Sequence, residues 1–174
     1  ADKALSNYKA GTVGVINYKT GETLVMTSTP SYDPQNKPSD IDDNDAYSGA
    51  YINRLLTGLY TPGSTFKIVT AICAIENIPD IYDRTFKCTG EYDPGSGTPI
   101  ECNARHGTLT FEQALAKSCN STFAQIAIEL GPQKLADTAK ELGLTSKVTL
   151  NNDIDSSTGR FFLESGDADD YVGW

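Results

Sequence analysis

The chain has 174 residues, enough for one domain with a core of its own. Hydrophobic residues make up 39% and charged residues 21%, an ordinary globular composition, and no apolar run approaches the ~20 residues a membrane-spanning helix needs. The formal net charge of -9 argues against a nucleic-acid partner, whose phosphates call for clustered Lys and Arg.

The N-terminus carries no secretory signal pattern, so any export signal or anchor is expected upstream of this sequence. Residues 12–17 and 22–28 are rich in β-branched and apolar side chains, and Tyr18-Lys19-Thr20-Gly21 between them predicts the turn of a β-hairpin. A loop is expected over 29–47, which holds Pro30, Pro34, Pro38 and the acidic run Asp40 to Asp45. That run is no calcium loop, since the positions for its turn glycine and closing glutamate hold Asp45 and Tyr51.

Pro62-Gly63 breaks the chain before a helical pattern formed by Phe66, Val69, Ile72, Cys73 and Ile75 or Glu76. Thr110-Phe111-Glu112-Gln113 fits a capping box and predicts a second helix, with Leu115 and Ala116 among its apolar positions. A further helix is expected from about Ser121 to Leu130, closed by Gly131. Pro132 then suits the first turn of another, which runs to Leu142 and is closed by Gly143. Residues 144–174 are polar and irregular. The two strands alone would be marginal, so further strands are needed to complete their sheet.

Four cysteines are present, Cys73, Cys88, Cys102 and Cys119, and none forms the C-x-x-C pair of a common zinc site, so no metal is expected. Cys73 and Cys119 read as small buried hydrophobes. Cys88 and Cys102 flank the Gly- and Pro-rich turn from Thr89 to Pro99 and could either bridge across it or stand as free thiols.

Two short motifs carry chemistry. In Pro62-Gly63-Ser64-Thr65-Phe66-Lys67, Lys67 follows Ser64 by three helical steps, a rotation of about 300° and a rise of ~4.5 Å, which puts both on one face. A serine hydroxyl is a weak nucleophile without a base in reach, and a lysine amine is a base only when burial or positive potential lowers its pKa. A helix N-terminus adds that potential and offers N–H groups to an oxyanion. About fifty residues on comes Ser118-Cys119-Asn120, a hydroxyl able to relay a proton and an amide able both to donate and to accept. Taken singly, each motif is common by chance: Ser64 could merely cap a helix, Lys67 could be a surface lysine, and the tripeptide could be a polar loop.

Together, S-x-x-K followed by S-x-N resembles the motif pair of penicillin-binding proteins and serine β-lactamases. Residues 53–67, residues 11–34 and the run from His106-Gly107-Thr108-Leu109 into Ala116-Lys117-Ser118-Cys119-Asn120 resemble the class B penicillin-binding transpeptidases, over nearly the whole chain. The resemblance implies an α/β (α+β) fold of the penicillin-binding protein and serine β-lactamase type, an antiparallel sheet packed with helices and Ser64 at their interface. It also implies peptidoglycan cross-linking outside the cytoplasmic membrane. Ser64 would attack the penultimate D-alanine of a stem peptide, Lys67 would act as base, Ser118 would shuttle a proton and Asn120 would orient the donor. β-Lactams would acylate the same serine. No cofactor is implied, and the parent protein is expected to be anchored to the membrane through an upstream segment, with this chain soluble.

One departure stands out. The family's third motif, Lys-Thr/Ser-Gly on a later strand, has only Lys19-Thr20-Gly21 as a counterpart, and that lies ahead of Ser64 in the hairpin turn. Residues 1–174 are therefore expected to form an incomplete transpeptidase domain, nearly inactive alone. Two rival readings are a serine β-lactamase, for which Glu76, Glu112 and Glu129 are the candidate deacylating bases, and a β-lactam sensor that is acylated without turnover. His106, the only histidine, reads as a loop residue near the second motif, and Tyr51, Tyr60 and Phe123 as core or pocket wall.

Overall fold

Asn17 closes the first hairpin: its carbonyl accepts from the N–H of Thr20 at 3.2 Å and of Gly21 at 2.7 Å, and Gly21 takes the left-handed φ of 74° that a side chain would resist. The computed structural model describes residues 1–95, 99–150 and 153–161. They fall into two compact units, Ala1–Tyr60 with Lys147–Ser157, and Thr61–Ser146 with the segment from Thr158 onward. Among the described residues no helix is long and apolar enough to cross a membrane.

The first unit opens with a short helix, α1 (Asp2–Leu5), and the predicted hairpin, β1 (Gly11–Ile16) and β2 (Thr23–Thr29). The strands run antiparallel with Gly11 opposite Thr29 and Val15 opposite Val25. The short helix α2 (Arg54–Thr57) is capped by the Asn53 side chain, which accepts from the N–H of Leu55 at 3.2 Å. Leu55 lies so close to Gly14 that a Cβ there would meet it at 2.8 Å, which is why β1 carries a glycine at this point. The acidic loop satisfies itself: Asn44 donates to Asp40 at 2.7 Å and Tyr51 to Asp42 at 2.8 Å. Tyr51 and Tyr60 are exposed by 55% and 68%, so neither belongs to the core, while Tyr51 lines a pocket beside Met26, Ser28 and Asn53.

In the second unit a 3₁₀ turn over Gly63–Phe66 leads straight into α3 (Lys67–Asn77). Its inner face is Phe66, Val69, Thr70, Cys73 and Ala74, while Ile75 is 45% exposed. The expected 3.6-residue stripe is therefore present but rotated away from Ile75. Strand β3 (Thr85–Cys88) buries Phe86 and Cys88 and exposes Thr85 and Lys87, the alternation of a half-buried strand. A two-residue ladder of β4 (Glu91–Tyr92) and β5 (Ile100–Glu101) follows, and β6 (Gly107–Thr110) pairs antiparallel with β3, Cys88 opposite Gly107. The sequence reading missed these strands.

Helix α4 (Phe111–Ala116) begins with the full capping box, Thr110 and Gln113 each satisfying the other's backbone. It buries Phe111 and Ala114, whereas Leu115 is 40% exposed. Helix α5 (Asn120–Glu141) is broken at Gly131, at φ 77° and ψ 164°, with Pro132 opening its second half, as Gly-Pro there predicts. Packing of α3 against α5 forms the centre of the core, with Cys73, Ile126 and Leu135 almost fully buried. Side chains the size of Ile126 and Leu135 each contribute about 1.5–3 kcal/mol on burial. A last ladder, β7 (Thr149–Leu150) with β8 (Ile154–Asp155), belongs to the first unit, where Ser157 donates to the Leu56 carbonyl at 2.8 Å. The sequence reading left this segment irregular. Trp174 lies outside the described residues.

Candidate active site

The second unit brings all four candidate site residues together around one amine. The 3₁₀ turn presents Ser64 at the surface, and one turn on, at the start of α3, Lys67 points the same way. The turn after α4 supplies Ser118, and the first residue of α5 is Asn120. Lys67 Nζ lies 3.3 Å from Ser64 Oγ, 2.9 Å from both the hydroxyl and the carbonyl of Ser118, and 2.5 Å from Asn120 Oδ1. It also sits 5.9 Å from the centre of the Phe123 ring, so Phe123 does line the site.

The turn between α4 and α5 explains how the second motif reaches the amine. Ser118 has a φ of 50°, in the left-handed region that non-glycine residues rarely occupy. This reversal faces both its carbonyl and its hydroxyl toward Lys67. Cys119 behind it is fully buried, and Asn120 is fixed from its other end, its Nδ2 donating to the Glu101 carbonyl at 2.9 Å. The role of Glu101 rests on its backbone, which no side-chain motif could reveal.

Four oxygens surround the amine, and two of them, the Ser64 and Ser118 hydroxyls, can donate as well as accept. A neutral amine can give its hydrogens to the Asn120 and Ser118 carbonyl oxygens and receive the Ser64 hydroxyl on its lone pair. Burial holds the Lys67 pKa below its ordinary value, while the nearby Cys102 and Cys119 push the other way. Geometry and electrostatics thus both suit a lysine that takes the proton of Ser64.

A group able to drive rapid hydrolysis of an acylated serine is harder to find among the three glutamates weighed for that role. Both oxygens of Glu129 are taken by Arg84, at 2.7 and 2.6 Å. Glu76 and Glu112 are exposed on α3 and α4. Lys19-Thr20-Gly21 sits in the β1–β2 turn of the first unit, which agrees with its reading as a turn and not a substrate strand.

A second cluster lies directly behind the Ser118–Asn120 turn. The ligand atoms of Cys88, Cys102, His106 and Cys119 all lie within 4.8 Å of one another, and all four cysteines of the chain are free thiols. Burial works against the Cys88 thiolate, while the backbone amide of His106, the Ser121 hydroxyl and the backbone amide of Gly90 favour it, and the balance lies at about 6. The sequence expectation of no metal rested on the missing C-x-x-C pair. The usable signal was Cys102-Asn103-Ala104-Arg105-His106, a C-x₃-H spacing, together with strand β3, which delivers Cys88 to it.

A serine and lysine one helical turn apart, a Ser-x-Asn turn and antiparallel ladders set among helices define the serine–lysine class of penicillin-recognising folds. The family model of the penicillin binding protein transpeptidase domain matches residues 11–166, and the chain belongs to that family. Stage V sporulation protein D of Bacillus subtilis is 32% identical over 144 residues, covering 78% of this chain and 21% of that protein. The peptidoglycan D,D-transpeptidase PbpA of Mycobacterium tuberculosis is 30% identical over 153 residues, covering 78% and 30%. Among solved structures, the D,D-transpeptidase domain of a peptidoglycan glycosyltransferase from Eggerthella lenta is similar with a TM-score of 0.78 at 29% identity, covering 95% of this chain and 39% of that one. A ceftriaxone acyl-enzyme of penicillin-binding protein A from M. tuberculosis is similar with a TM-score of 0.68 at 29% identity, covering 78% and 34%. The chain thus spans between 21% and 39% of these relatives' own lengths.

Proposed function

We propose that the chain carries the nucleophile and base of a peptidoglycan D,D-transpeptidase, acting by serine acyl transfer on stem peptides that end in D-Ala-D-Ala. The observation that carries this reading is the convergence of Ser64, Ser118 and Asn120 on the one Lys67 amine. Lys67 removes the Ser64 proton as Oγ attacks the penultimate D-alanine carbonyl. Ser118 passes that proton to the departing D-alanine amine, and the acyl group stays on Ser64. An amine of a second stem then takes the acyl group, and its proton returns along the same path. A β-lactam acylates Ser64 by ring opening and has no leaving group to diffuse away, so the adduct persists.

The setting follows from the substrate. Peptidoglycan lies outside the cytoplasmic membrane, so the parent protein works on its outer face, held there by an anchor. The acylation machinery here comprises Ser64, Lys67 and the Ser118–Asn120 turn. This sequence has no Lys-Thr-Gly after Asn120, and loss of a single oxyanion donor typically costs 10²–10³ in rate. Slow acylation of the chain alone is therefore expected.

The test is the intact mass after incubation with benzylpenicillin. It is measured for this chain and for a longer protein in which the chain is followed by a Lys-Thr-Gly strand. One penicillin should add to the longer protein and be absent from its Ser64→Ala variant. An unmodified longer protein would overturn the reading, and repeated turnover of nitrocefin would favour a β-lactamase instead.

A further inference from the structure

Cys88 closes β3, Cys102 follows β5, His106 precedes β6 and Cys119 stands before α5, so four separate points of the chain meet here. His106 Nδ1 lies 3.6 Å from the sulfurs of both Cys88 and Cys102, and the sulfurs of Cys102 and Cys119 are 3.8 Å apart. A tetrahedral zinc ion with bonds of ~2.3 Å to sulfur and ~2.0–2.1 Å to nitrogen holds its ligand atoms about 3.5–3.8 Å apart. These three separations match that tetrahedron, all four ligand atoms lie within 4.8 Å of one another, and the Cys102–Cys119 distance far exceeds the ~2.05 Å of a disulfide. As thiols, these groups have only weak partners, such as the Ala104 carbonyl at 3.4 Å and the Ser121 hydroxyl at 3.5 Å from Cys88.

We infer that Cys88, Cys102, His106 and Cys119 form a closed, structural binding site for a thiophilic divalent cation of the zinc class. Three thiolates and an imidazole select a soft or borderline ion over calcium or magnesium, which take oxygen ligands. With four protein ligands no position stays open for water or substrate, so the ion builds structure and does not activate a nucleophile. All three cysteines bind as thiolates, with any thiol protons still present released to solvent, and neutral His106 gives its Nδ1 lone pair. A dication with three thiolates leaves the site with one net negative charge.

What the ion would hold is clear from the fold. The β4–β5 ladder has two residue pairs and no fully buried side chain, too little to be stable alone. The ion ties both ends of that segment, through Cys88 and Cys102, to Cys119. Cys119 lies between the two residues that contact Lys67, and the Glu101 carbonyl that holds Asn120 is next to Cys102. The cation would thus fix the Ser118–Asn120 turn from behind, whatever reaction the front face runs.

The experiment needs no catalysis. The full chain is purified under reducing conditions without chelator, its zinc measured by mass spectrometry, and the stripped protein titrated with cobalt(II). We expect about one equivalent of zinc, thiolate-to-cobalt charge-transfer bands with the strong visible absorption of tetrahedral cobalt, and loss of both on adding zinc. Cys102→Ser and His106→Gln should each weaken cobalt binding by more than the ~10-fold to 100-fold typical of losing an outer-shell partner, while Cys73→Ser should leave it unchanged. Because a ligand variant could simply misfold, alkylation of the unaltered chain supplies a second readout, with zinc shielding Cys88, Cys102 and Cys119 together. No zinc and no thiolate–cobalt bands, bands that survive Cys102→Ser, or a disulfide between two of the three cysteines would each overturn the site.

Discussion

Lys67 donates to Asn120 Oδ1 at 2.5 Å and lies farther, 3.3 Å, from the Ser64 hydroxyl it would deprotonate. The amine is therefore held by the Ser118–Asn120 turn and faces the Ser64 hydroxyl. Replacing it tests base chemistry against mere charge. Lys67→Ala should slow acylation by benzylpenicillin by about 10²–10⁴, the usual share of a general base. Lys67→Arg should not restore it, because a guanidinium stays protonated. The check is the rate of adduct formation by intact mass in a protein that includes the Lys-Thr-Gly strand, and an active Lys67→Arg protein would remove Lys67 from the base role.

The depressed Lys67 pKa has a sign for both rate and stability. Acylation needs the neutral amine, so its rate should climb with pH and level off above the folded pKa, which lies below the ordinary lysine value. Between the folded and unfolded pKa values the unfolded chain binds more protons, so this group makes stability rise with pH across that window. Asn120→Asp would place a carboxylate against the amine and shift the rising limb of the rate to higher pH. A pH–rate profile of penicillin acylation for both proteins measures it, and an unmoved limb would show that another group titrates.

Ser118 joins the proton-relay role proposed for it to a strained backbone. Ser118→Gly should relieve the left-handed φ, and Ser118→Ala should not. The glycine protein should be more stable than the alanine protein by about 1–2 kcal/mol in urea denaturation. Both should lose acylation rate to a similar degree, since both lack the hydroxyl. Equal stabilities would mean that the turn relaxes without help.

Gly131 breaks α5 with a φ and ψ that only glycine adopts freely. Gly131→Ala should destabilise the protein by about 1–3 kcal/mol although nothing lies within 4 Å of an added Cβ. The cost is conformational, and this φ and ψ lie outside the left-handed helical region that Asn tolerates, so Gly131→Asn should be destabilised as well. Thermal melts of the three proteins decide it.

Local signals were legible wherever a residue type is tied to one backbone act. Thr110 and Gln113 announced their capping box, Gly131-Pro132 its break, and Ser64 and Lys67 their shared face. Burial was harder to read, because it depends on partners far along the chain: Ile75 and Leu115 are apolar, yet α3 and α4 turn smaller residues, Ala74 and Ala114, toward the core. The four strand segments between 85 and 110 escaped notice for the same reason. Two of them are only two residues long, and β6 takes its strand character from pairing with β3. The thiol and imidazole cluster depends on that pairing, since it brings Cys88 beside His106 across eighteen positions of sequence.

The Asn120 carboxamide has both ends engaged before any substrate arrives, its oxygen with Lys67 and its nitrogen with the Glu101 carbonyl. A peptide that uses this amide must displace bonds of similar strength to those it makes, so its net gain in affinity there is small. An interaction that adds little to ground-state binding leaves more of its effect for the transition state. The residue would then select substrates by how well they align with Ser64, and its loss would appear in kcat more than in KM.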